Sequence, residues 1–303
     1  MERKIAVTAV NAPNAAFGYL GSMLEGAGAL YACGGTYNKA TILRSTDRGA
    51  TWKSIAKPAS PGLRQLTQVG DRLWIVGEYG CIAYSTDRGE TWTKTASPAT
   101  TCLYRLVDHE GKLWACGDGG LIVVSHDHGE TFEPLQTTST GRILDLFVVD
   151  GTLFFLDTTG MIFKQNGDAF EPVSLRAKRP LTEMIVTAKG TWLASGDAGG
   201  IFRSTDKGFS WKPIDTKTKS DLEAIIEHKG LVIAVGDAGT VLVSEDDGVS
   251  FAPEKTAMTN HLWSILPVDN ALFVSGDAGA VWRVVIETGT QPVAGVPFIP
   301  LSL

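Results

Sequence analysis

The stretch Ser45-Thr46-Asp47-Arg48-Gly49-Ala50-Thr51-Trp52 decides the fold, because close copies of it recur along the chain. We call the pattern Ser-x-Asp-x-Gly-x-Thr/Ser, followed by Trp or Phe, the box. The box aspartates are Asp47, Asp87, Asp127, Asp206 and Asp246, so successive boxes lie 40, 40, 79 and 40 residues apart. The longest gap holds a degenerate copy, 165–170, that is one residue short. A period near forty residues indicates one supersecondary unit per repeat.

A second marker, Gly-Asp-x-Gly or a close variant, precedes each box, and we call it the Gly-Asp turn. It occurs at 77–80, 117–120, 196–199, 236–239 and 276–279, with a degenerate form at 157–160 and a longer first version that opens at Gly34. These markers define seven units. Short runs of β-branched and aromatic residues between turns predict antiparallel strands. Four such strands in about forty residues are typical of a propeller blade.

The sequence therefore predicts an all-β, seven-bladed β-propeller with box turns, formed as a single domain over 1–303. The expected blades are 16–57, 58–97, 98–137, 138–175, 176–216, 217–256 and 257–289. Unit seven lacks a box and a fourth strand, so we expect the N-terminal strand 4–10 to complete it from outside and close the ring. The uncharged C-terminal tail, 290–303, carries three prolines and is expected along the rim or in competition for the closing position.

The box has the chemistry of a tight turn. Its aspartate can accept backbone N–H groups, and its glycine supplies a positive φ. We therefore assign a structural role to Asp47, Asp87, Asp127, Asp206 and Asp246. The box resembles the Asp-box, or BNR, motif of sialidase-like propellers, and the phrases 199–206 and 236–244 resemble the Ycf48 family of photosystem II assembly factors and their bacterial relatives. This resemblance covers about residues 4–285 and implies a seven-bladed ring with a role in assembly.

Composition and charge exclude several classes of function. The formal net charge is −6, so no basic face is expected to bind nucleic acid. No run reads as a membrane-spanning helix, and the N-terminal apolar run of about six residues is too short for a signal peptide. Four cysteines, each in an apolar run, favour buried thiols in a reducing compartment. We expect a cytoplasmic monomer, with a periplasmic or secreted protein as the less favoured alternative.

Catalytic and metal-binding patterns are weak in this sequence. The early Arg-Ile-Pro motif of sialidases is missing, and no Gly-x-Ser-x-Gly elbow, phosphate loop or Cys-x-x-Cys occurs. His126-Asp127-His128 lies inside a box and has no evident third metal ligand. We therefore expect no catalytic residues, no metal and no cofactor.

The candidate binding residues lie where the repeats differ. In an up-and-down sheet, the Gly-Asp turns and the starts of the first strands share one face, opposite the boxes; we call it the Gly-Asp face and its opposite the box face. Counting back thirteen or fifteen residues from each Gly-Asp turn, and adding two turn residues, predicts Arg64, Tyr104, Arg142, Glu183, Glu223, His261, Trp263, Glu78 and Tyr79 as binding residues. Charged and aromatic residues together are typical of binding surfaces.

Two functions follow from these residues. The favoured prediction is a non-catalytic scaffold or assembly factor that binds a protein or peptide on the Gly-Asp face. The alternative is a sialidase-like glycoside hydrolase or a carbohydrate-binding lectin. It rests on aromatic Tyr104 and Trp263, which could stack on sugars, and on Glu183 and Glu223, since glycoside cleavage generally uses two carboxylates.

Overall fold

Seven four-stranded sheets form the ring. A computed structural model describes residues 4–10, 18–35, 39–59, 62–167 and 169–287. Within these residues, 28 strands pair in antiparallel order into seven sheets, one for each predicted unit. The first strands of neighbouring blades contact one another and surround the axis. The predicted seven-bladed propeller is confirmed.

The strands are numbered in chain order and run outward from the axis within each blade. Blade one has β2 (Leu20–Gly26), β3 (Ala29–Gly34), β4 (Thr41–Ser45) and β5 (Lys53–Ser54); blade two has β6 (Leu63–Val69), β7 (Arg72–Gly77), β8 (Ile82–Ser85) and β9 (Thr93–Lys94); blade three has β10 (Leu103–His109), β11 (Lys112–Gly117), β12 (Leu121–Ser125) and β13 (Glu133–Gln136). Blade four has β14 (Ile143–Val149), β15 (Thr152–Asp157), β16 (Met161–Asn166) and β17 (Ala169–Arg176); blade five has β18 (Leu181–Val186), β19 (Trp192–Gly196), β20 (Gly200–Ser204) and β21 (Lys212–Ile214). Blade six has β22 (Leu222–His228), β23 (Leu231–Gly236), β24 (Val241–Ser244) and β25 (Ala252–Pro253); blade seven has β26 (Leu262–Val268), β27 (Ala271–Gly276), β28 (Val281–Glu287) and β1 (Lys4–Ala9).

The N-terminal strand closes the ring, as the sequence predicts. Strand β1 pairs antiparallel with β28, from Lys4 opposite Glu287 to Ala9 opposite Trp282. Ile5 and Val7 pack against the buried cluster between blades six and seven. The tail 290–303 lies outside the described residues, so its expected position is not addressed by the fold.

The hydrophobic core lies between neighbouring blades rather than in one central mass. Each buried cluster joins strands of adjacent blades; one of them combines Tyr31 and Ile42 of blade one with Leu66 and Ile75 of blade two. Such sheet-on-sheet contacts bury the apolar face of each blade against the next. No described helix is long and apolar enough to cross a lipid bilayer.

Each box is held by the same four hydrogen bonds. In blade one, Ser45 Oγ donates to Asp47 Oδ1 at 2.8 Å, and Gly49 N donates to Ser45 Oγ at 2.8 Å. Thr51 donates its backbone N–H to Asp47 Oδ1 at 2.9 Å and its hydroxyl to Oδ2 at 2.5 Å. The same bonds recur in the other four boxes. Both oxygens of the box carboxylate thus accept hydrogen bonds from within the same turn.

We expect the stability of the protein in acid to depend on the ionised carboxylate of Asp87 in the box of blade two. Bonds from the hydroxyl and the N–H of Thr91 and from the Ser85 hydroxyl lower the pKa of Asp87 from 3.8 to about 2. A lowered native pKa stabilises the fold above about pH 4, and that stabilisation is lost as the pH falls toward 2. Asp87→Asn should therefore lower the Tm at pH 7 and weaken the decline of Tm between pH 4 and pH 2. Calorimetry across this range tests it; an unchanged slope contradicts it.

Candidate functional site: the Gly-Asp face

Backbone hydrogen bonds tie each Gly-Asp turn to the start of the first strand of the same blade. Glu78 N donates to Gly62 O at 2.9 Å, and Asp237 N donates to Asp221 O at 2.9 Å. Equivalent bonds occur in blades three, four, five and seven. The turn side chains and the variable residues of the first strands therefore lie together on one face, as the sequence predicts.

Glu183 does not occupy the position that the sequence analysis assigned to it. The first hairpin of blade five is one residue longer than the others: Leu181 pairs with Gly196, fifteen residues on, whereas Leu63 pairs with Gly77, fourteen residues on. Thr182 therefore takes the place equivalent to Arg64. It is buried, and its hydroxyl donates to Leu222 O at 2.6 Å. The assignment of Glu183 to the rim of the Gly-Asp face was wrong.

Arg64 is on the Gly-Asp face, but its guanidinium is already engaged. It forms an ion pair with Glu78 Oε1 at 2.8 Å, and these side chains are only 19 % and 15 % exposed. It also bonds Tyr19 Oη, with its Cζ atom 5.4 Å from the centre of the Tyr19 ring. Arg64 and Glu78 therefore shape the face more than they offer free charge to a ligand.

Tyr104 is positioned by the Gly-Asp turn of its own blade and by Arg142 of the next blade. Its hydroxyl donates to Asp118 Oδ1 at 2.9 Å, and Asp118 Oδ2 accepts the Cys102 N–H at 3.2 Å. Burial, together with the charge of Asp118, raises the pKa of Tyr104, while a hydrogen bond with Arg142 opposes that shift. Arg142 itself is exposed. The hydroxyl of Tyr104 is thus a hydrogen-bonding group, and Arg142 is the accessible cation beside it.

His261 forms the centre of a cluster on blades six and seven. Its Nε2 lies 3.2 Å from Glu223 Oε1, and its Nδ1 contacts Asp237 Oδ1. Its ring stacks on Trp263 with centroids 4.0 Å apart, and Trp263 Nε1 donates to Asp277 Oδ1 at 2.8 Å. Burial lowers the pKa of His261, but the bond to Glu223 and the charges of the carboxylates raise it overall. These groups favour the protonated form of His261, which lies between two carboxylates.

Carboxylates dominate the blade-five and blade-six side of the face. Burial, followed by the charges of Asp221 and Glu223, raises the pKa of Asp197 to about 6 despite the opposing charge of Arg142. Asp221 Oδ1 accepts the Ala198 N–H at 2.7 Å, which fixes one of these carboxylates beside the turn. The face therefore combines an exposed cation, Arg142, with a group of neighbouring carboxylates.

An ion triad lies beneath the face, within the axial channel. Arg105 Nε lies 3.3 Å from Asp145 Oδ1, and an Arg105 terminal nitrogen lies 3.0 Å from Glu183 Oε1. Asp145 also accepts the Met184 N–H at 3.2 Å, and Glu183 accepts the Ile225 N–H at 2.8 Å. Burial is the main reason that the pKa of Asp145 rises to about 7, and the pKa of Glu183 is also raised.

This triad joins three blades, and sequence reasoning missed it. Arg105, Asp145 and Glu183 come from blades three, four and five, at the strand position that holds Gln65 in blade two. Gln65 likewise accepts the Leu106 N–H of the next blade at 2.6 Å. Polar residues at one register of otherwise apolar first strands were the available signal. A cavity of about 180 Å³ adjoins this layer and is lined by Gln65, Arg105 and Glu183.

Two predicted residues remain open to a partner. Tyr79 is 68 % exposed at the tip of its Gly-Asp turn, and Arg142 is exposed at the start of its first strand. Among the described residues, no group of three or more His, Cys, Asp or Glu is arranged to hold a metal ion. Both histidines of the 126–128 stretch are exposed in their box turn.

Comparison with known proteins adds a fold relationship. A family model described as the DUF6242 beta propeller domain matches residues 55–180. No curated protein matches this chain. The match covers less than half of the sequence, and it supports the propeller assignment of those blades.

Solved structures align with nearly the whole chain. "YCF48 bound to D1 peptide" has a TM-score of 0.73 at 20 % identity and covers 92 % of this chain and 94 % of its own. YCF48 from Cyanidioschyzon merolae has a TM-score of 0.73 at 17 % identity, covering 92 % and 98 %. A catalytically inactive virginiamycin B lyase from Staphylococcus aureus, solved with quinupristin, has a TM-score of 0.79 at 13 % identity, covering 93 % and 99 %. At these identities the likeness shows the fold alone. This fold is shared by a protein that was solved with a peptide and by a lyase.

Proposed function

We propose that this chain is a non-catalytic scaffold that binds a protein or peptide on its Gly-Asp face. The observation that carries the proposal is that exposed Tyr79 of blade two and exposed Arg142 of blade four share one face with the carboxylates around Asp197 of blade five. Side chains fixed by internal bonds present a prearranged surface, which reduces the entropy lost on binding. A YCF48 structure solved with a peptide gives a precedent for this use of the fold.

The positions of the carboxylates support binding over glycoside hydrolysis. Glycoside cleavage generally needs two carboxylates flanking the bond that breaks. Glu223 is bonded to His261, and Glu183 is paired with Arg105 in the channel layer. Both nitrogens of His261 are engaged by carboxylates, so neither is free to take a proton from a substrate. We therefore propose no catalytic residue.

The carbohydrate-binding alternative rests on the aromatic side chains of blade seven and its neighbour. The rings of Tyr19 and Trp263 pack with centroids 4.9 Å apart, near the acidic groups that could bond sugar hydroxyls. His261 already stacks on Trp263, which reduces the ring surface open to a sugar. A glycan array and a panel of fluorogenic glycosides test this alternative. Absence of binding on the array and of hydrolysis in the panel would contradict the carbohydrate alternative. Saturable glycan binding that is lost in Trp263→Ala would favour a carbohydrate ligand over a peptide.

A peptide library displayed on phage and selected against the intact protein tests the main proposal. The double variant Tyr79→Ala/Arg142→Glu should bind the selected peptides about thirtyfold more weakly, or about 2 kcal/mol, because it removes an exposed aromatic and an exposed cation. Arg64 is not suitable for this test, since reversing its charge would break its pairing with Glu78 and Tyr19.

Arg88→Glu is the matched control, because Arg88 is an exposed arginine in a box on the opposite face. It should leave peptide affinity within about twofold of wild type. Peptides that bind the double variant as tightly as wild type, or no enrichment at all, would contradict the proposal.

The buried thiols support a proposal for the compartment. Cys33, Cys81, Cys102 and Cys116 form no disulfide bond, and burial raises the pKa of each of Cys33, Cys102 and Cys116. Thiols kept as buried neutral groups suit a reducing environment. We therefore propose a cytoplasmic protein, which cell fractionation tests. We also propose that it is a monomer, which light scattering tests.

A further inference from the structure

A groove between blades four and five opens on the box face. It has a volume of about 390 Å³, and Phe154, Trp192 and Phe209 contribute the aromatic part of its lining. Phe154 and Trp192 are buried and pack edge to face with ring centroids 5.2 Å apart, whereas Phe209 is 83 % exposed. Pockets of this size with an apolar lining and a few polar groups are typical of small-molecule sites. The groove therefore has the volume and the lining of such a site.

Lys164, one of the polar residues of the groove, occupies a strand position that recurs in other blades. Lys164 on β16 pairs with Phe154 on β15, as Arg44 on β4 pairs with Tyr31 on β3 in blade one. Arg203 on β20 holds the same place in blade five. These three residues are therefore equivalent cations on the third strands of their blades.

In blades one and five, the box of the next blade neutralises this cation. Arg44 donates to Arg88 O at 2.9 Å and forms an ion pair with Glu90 Oε1 at 2.7 Å. Arg203 donates to Asp247 O at 2.9 Å and pairs with the carboxylate of the same residue at 3.3 Å. The space between blades one and two, of about 300 Å³, thus contains a matched pair of charges. In both places the cation of the third strand meets a carboxylate.

The box of blade five does not supply a carboxylate at this place. Phe209 holds the box position that Glu90 holds in blade two, three residues after the box aspartate. The cross-strand neighbour of Lys164 is Glu171, which instead accepts a hydrogen bond from Asn166 Nδ2 at 2.8 Å. None of the residues that the structure describes forms a hydrogen bond or an ion pair with the exposed ammonium group of Lys164.

We propose that the groove binds an aromatic carboxylate, a small molecule whose ring packs on the apolar lining and whose carboxylate pairs with Lys164. The other charged residues that line the groove, Lys207 and Asp150, pair with each other at 2.7 Å, so the charge of Lys164 is unmatched there. A ring suits this lining, because aromatic side chains favour offset or edge-to-face contacts with another ring. The site goes beyond the peptide surface described above, since it lies on the opposite face of the propeller.

Isothermal titration calorimetry of the intact protein with 2-naphthoate tests the proposal, and 2-naphthalenemethanol serves as a neutral probe with the same ring. 2-Naphthoate should bind saturably at a single site and about fivefold more tightly than the neutral probe, because an exposed ion pair adds a modest attraction. Lys164→Gln should remove this preference and leave the affinity for 2-naphthalenemethanol within about twofold. Lys94→Gln is the matched control, because Lys94 is an exposed lysine of blade two outside the groove, and it should keep the preference.

Phe209→Glu should weaken the binding of 2-naphthoate at least about tenfold, a loss typical of a central anchor. The change removes the exposed ring and places a carboxylate beside Lys164, as Glu90 lies beside Arg44 in blades one and two. Val249→Glu is the matched control, because Val249 holds the same box position in blade six and is 55 % exposed outside the groove. It should leave the affinity for 2-naphthoate within about twofold of wild type.

Three results of the calorimetry would overturn the proposal: no saturable binding of 2-naphthoate, unchanged affinity in Phe209→Glu, or a preference for the carboxylate that survives Lys164→Gln. Light scattering adds a further test. If the protein is a dimer that Phe209→Glu converts to a monomer, a second copy of the chain occupies the groove and the small-molecule site is ruled out.

Discussion

Arg105→Met should lower the free energy of unfolding by about 3 kcal/mol at pH 8, as expected when one partner is removed from a largely buried ion cluster. Asp145 and Glu183 would then face each other with no cation between them, and their side chains are only 9 % and 21 % exposed. Because methionine approximates the length of the arginine stem, the loss reports mainly on charge. Urea denaturation gives the free energy directly.

The cost of Arg105→Met should shrink at lower pH. In the native chain, burial already raises the pKa of Asp145 to about 7, so this group binds protons more readily in the folded state and its contribution to stability falls as the pH rises from about 4 to 7. Without the guanidinium the carboxyls protonate more readily still. The deficit at pH 5 should therefore be clearly smaller than at pH 8.

Arg48 provides a matched control for Arg105. It also pairs with two carboxylates, Glu25 at 2.5 Å and Asp269 at 2.6 Å, but its side chain is 53 % exposed. Arg48→Met should cost much less than Arg105→Met, because exposed ion pairs contribute little to stability. Equal costs for the two arginines, or a cost for Arg105→Met that does not change with pH, would show that the channel triad is not the buried cluster described above.

Gly120→Ala should destabilise the protein by more than about 3 kcal/mol, because its site is closed by backbone. A Cβ there would lie 2.0 Å from Ser139 O, in a residue whose φ is +73°. The segment 139–141 cannot move away freely, since Gly120 N donates to Gly141 O at 2.8 Å. Urea denaturation of the alanine variant measures the loss.

The neighbouring Gly119 is the control within the same turn. Its φ is +66°, but a Cβ there would meet nothing within 4 Å. Ala198, Ala238 and Ala278 hold the equivalent position in other blades, with φ between 51° and 58°. Gly119→Ala should cost about 1 kcal/mol or less. If the two variants lose equal stability, close contact with Ser139 O is not the reason that a glycine is needed at position 120.

Repetition made the ring predictable from the sequence. Each box folds through local bonds, such as those between Asp47 and Thr51, so its chemistry is readable at fixed spacing. Ring closure was also predictable, because unit seven lacked one strand and residues 4–10 supplied one. The error at Glu183 arose because the count from the Gly-Asp turn assumed hairpins of constant length. The additional residue of the first hairpin in blade five shifts the register by one.

The partners of the site residues were not predictable from spacing. Arg64 was expected to face a ligand, but Tyr19 of blade one and Glu78 of its own blade occupy its guanidinium. The pairing of Arg105 with Asp145 and Glu183 depends on three first strands that meet only when blades three, four and five pack against one another. Tyr79 and Arg142 are on the expected face and remain accessible.

The central claim is that the repeated turns build the ring and the unequal residues of the Gly-Asp face bind a peptide. The most direct measurement places a photo-crosslinking residue in a selected peptide and identifies its attachment sites by mass spectrometry. We predict crosslinks to Tyr79, Arg142 and neighbouring residues of the Gly-Asp face. Crosslinks confined to the boxes on the opposite face would contradict the account.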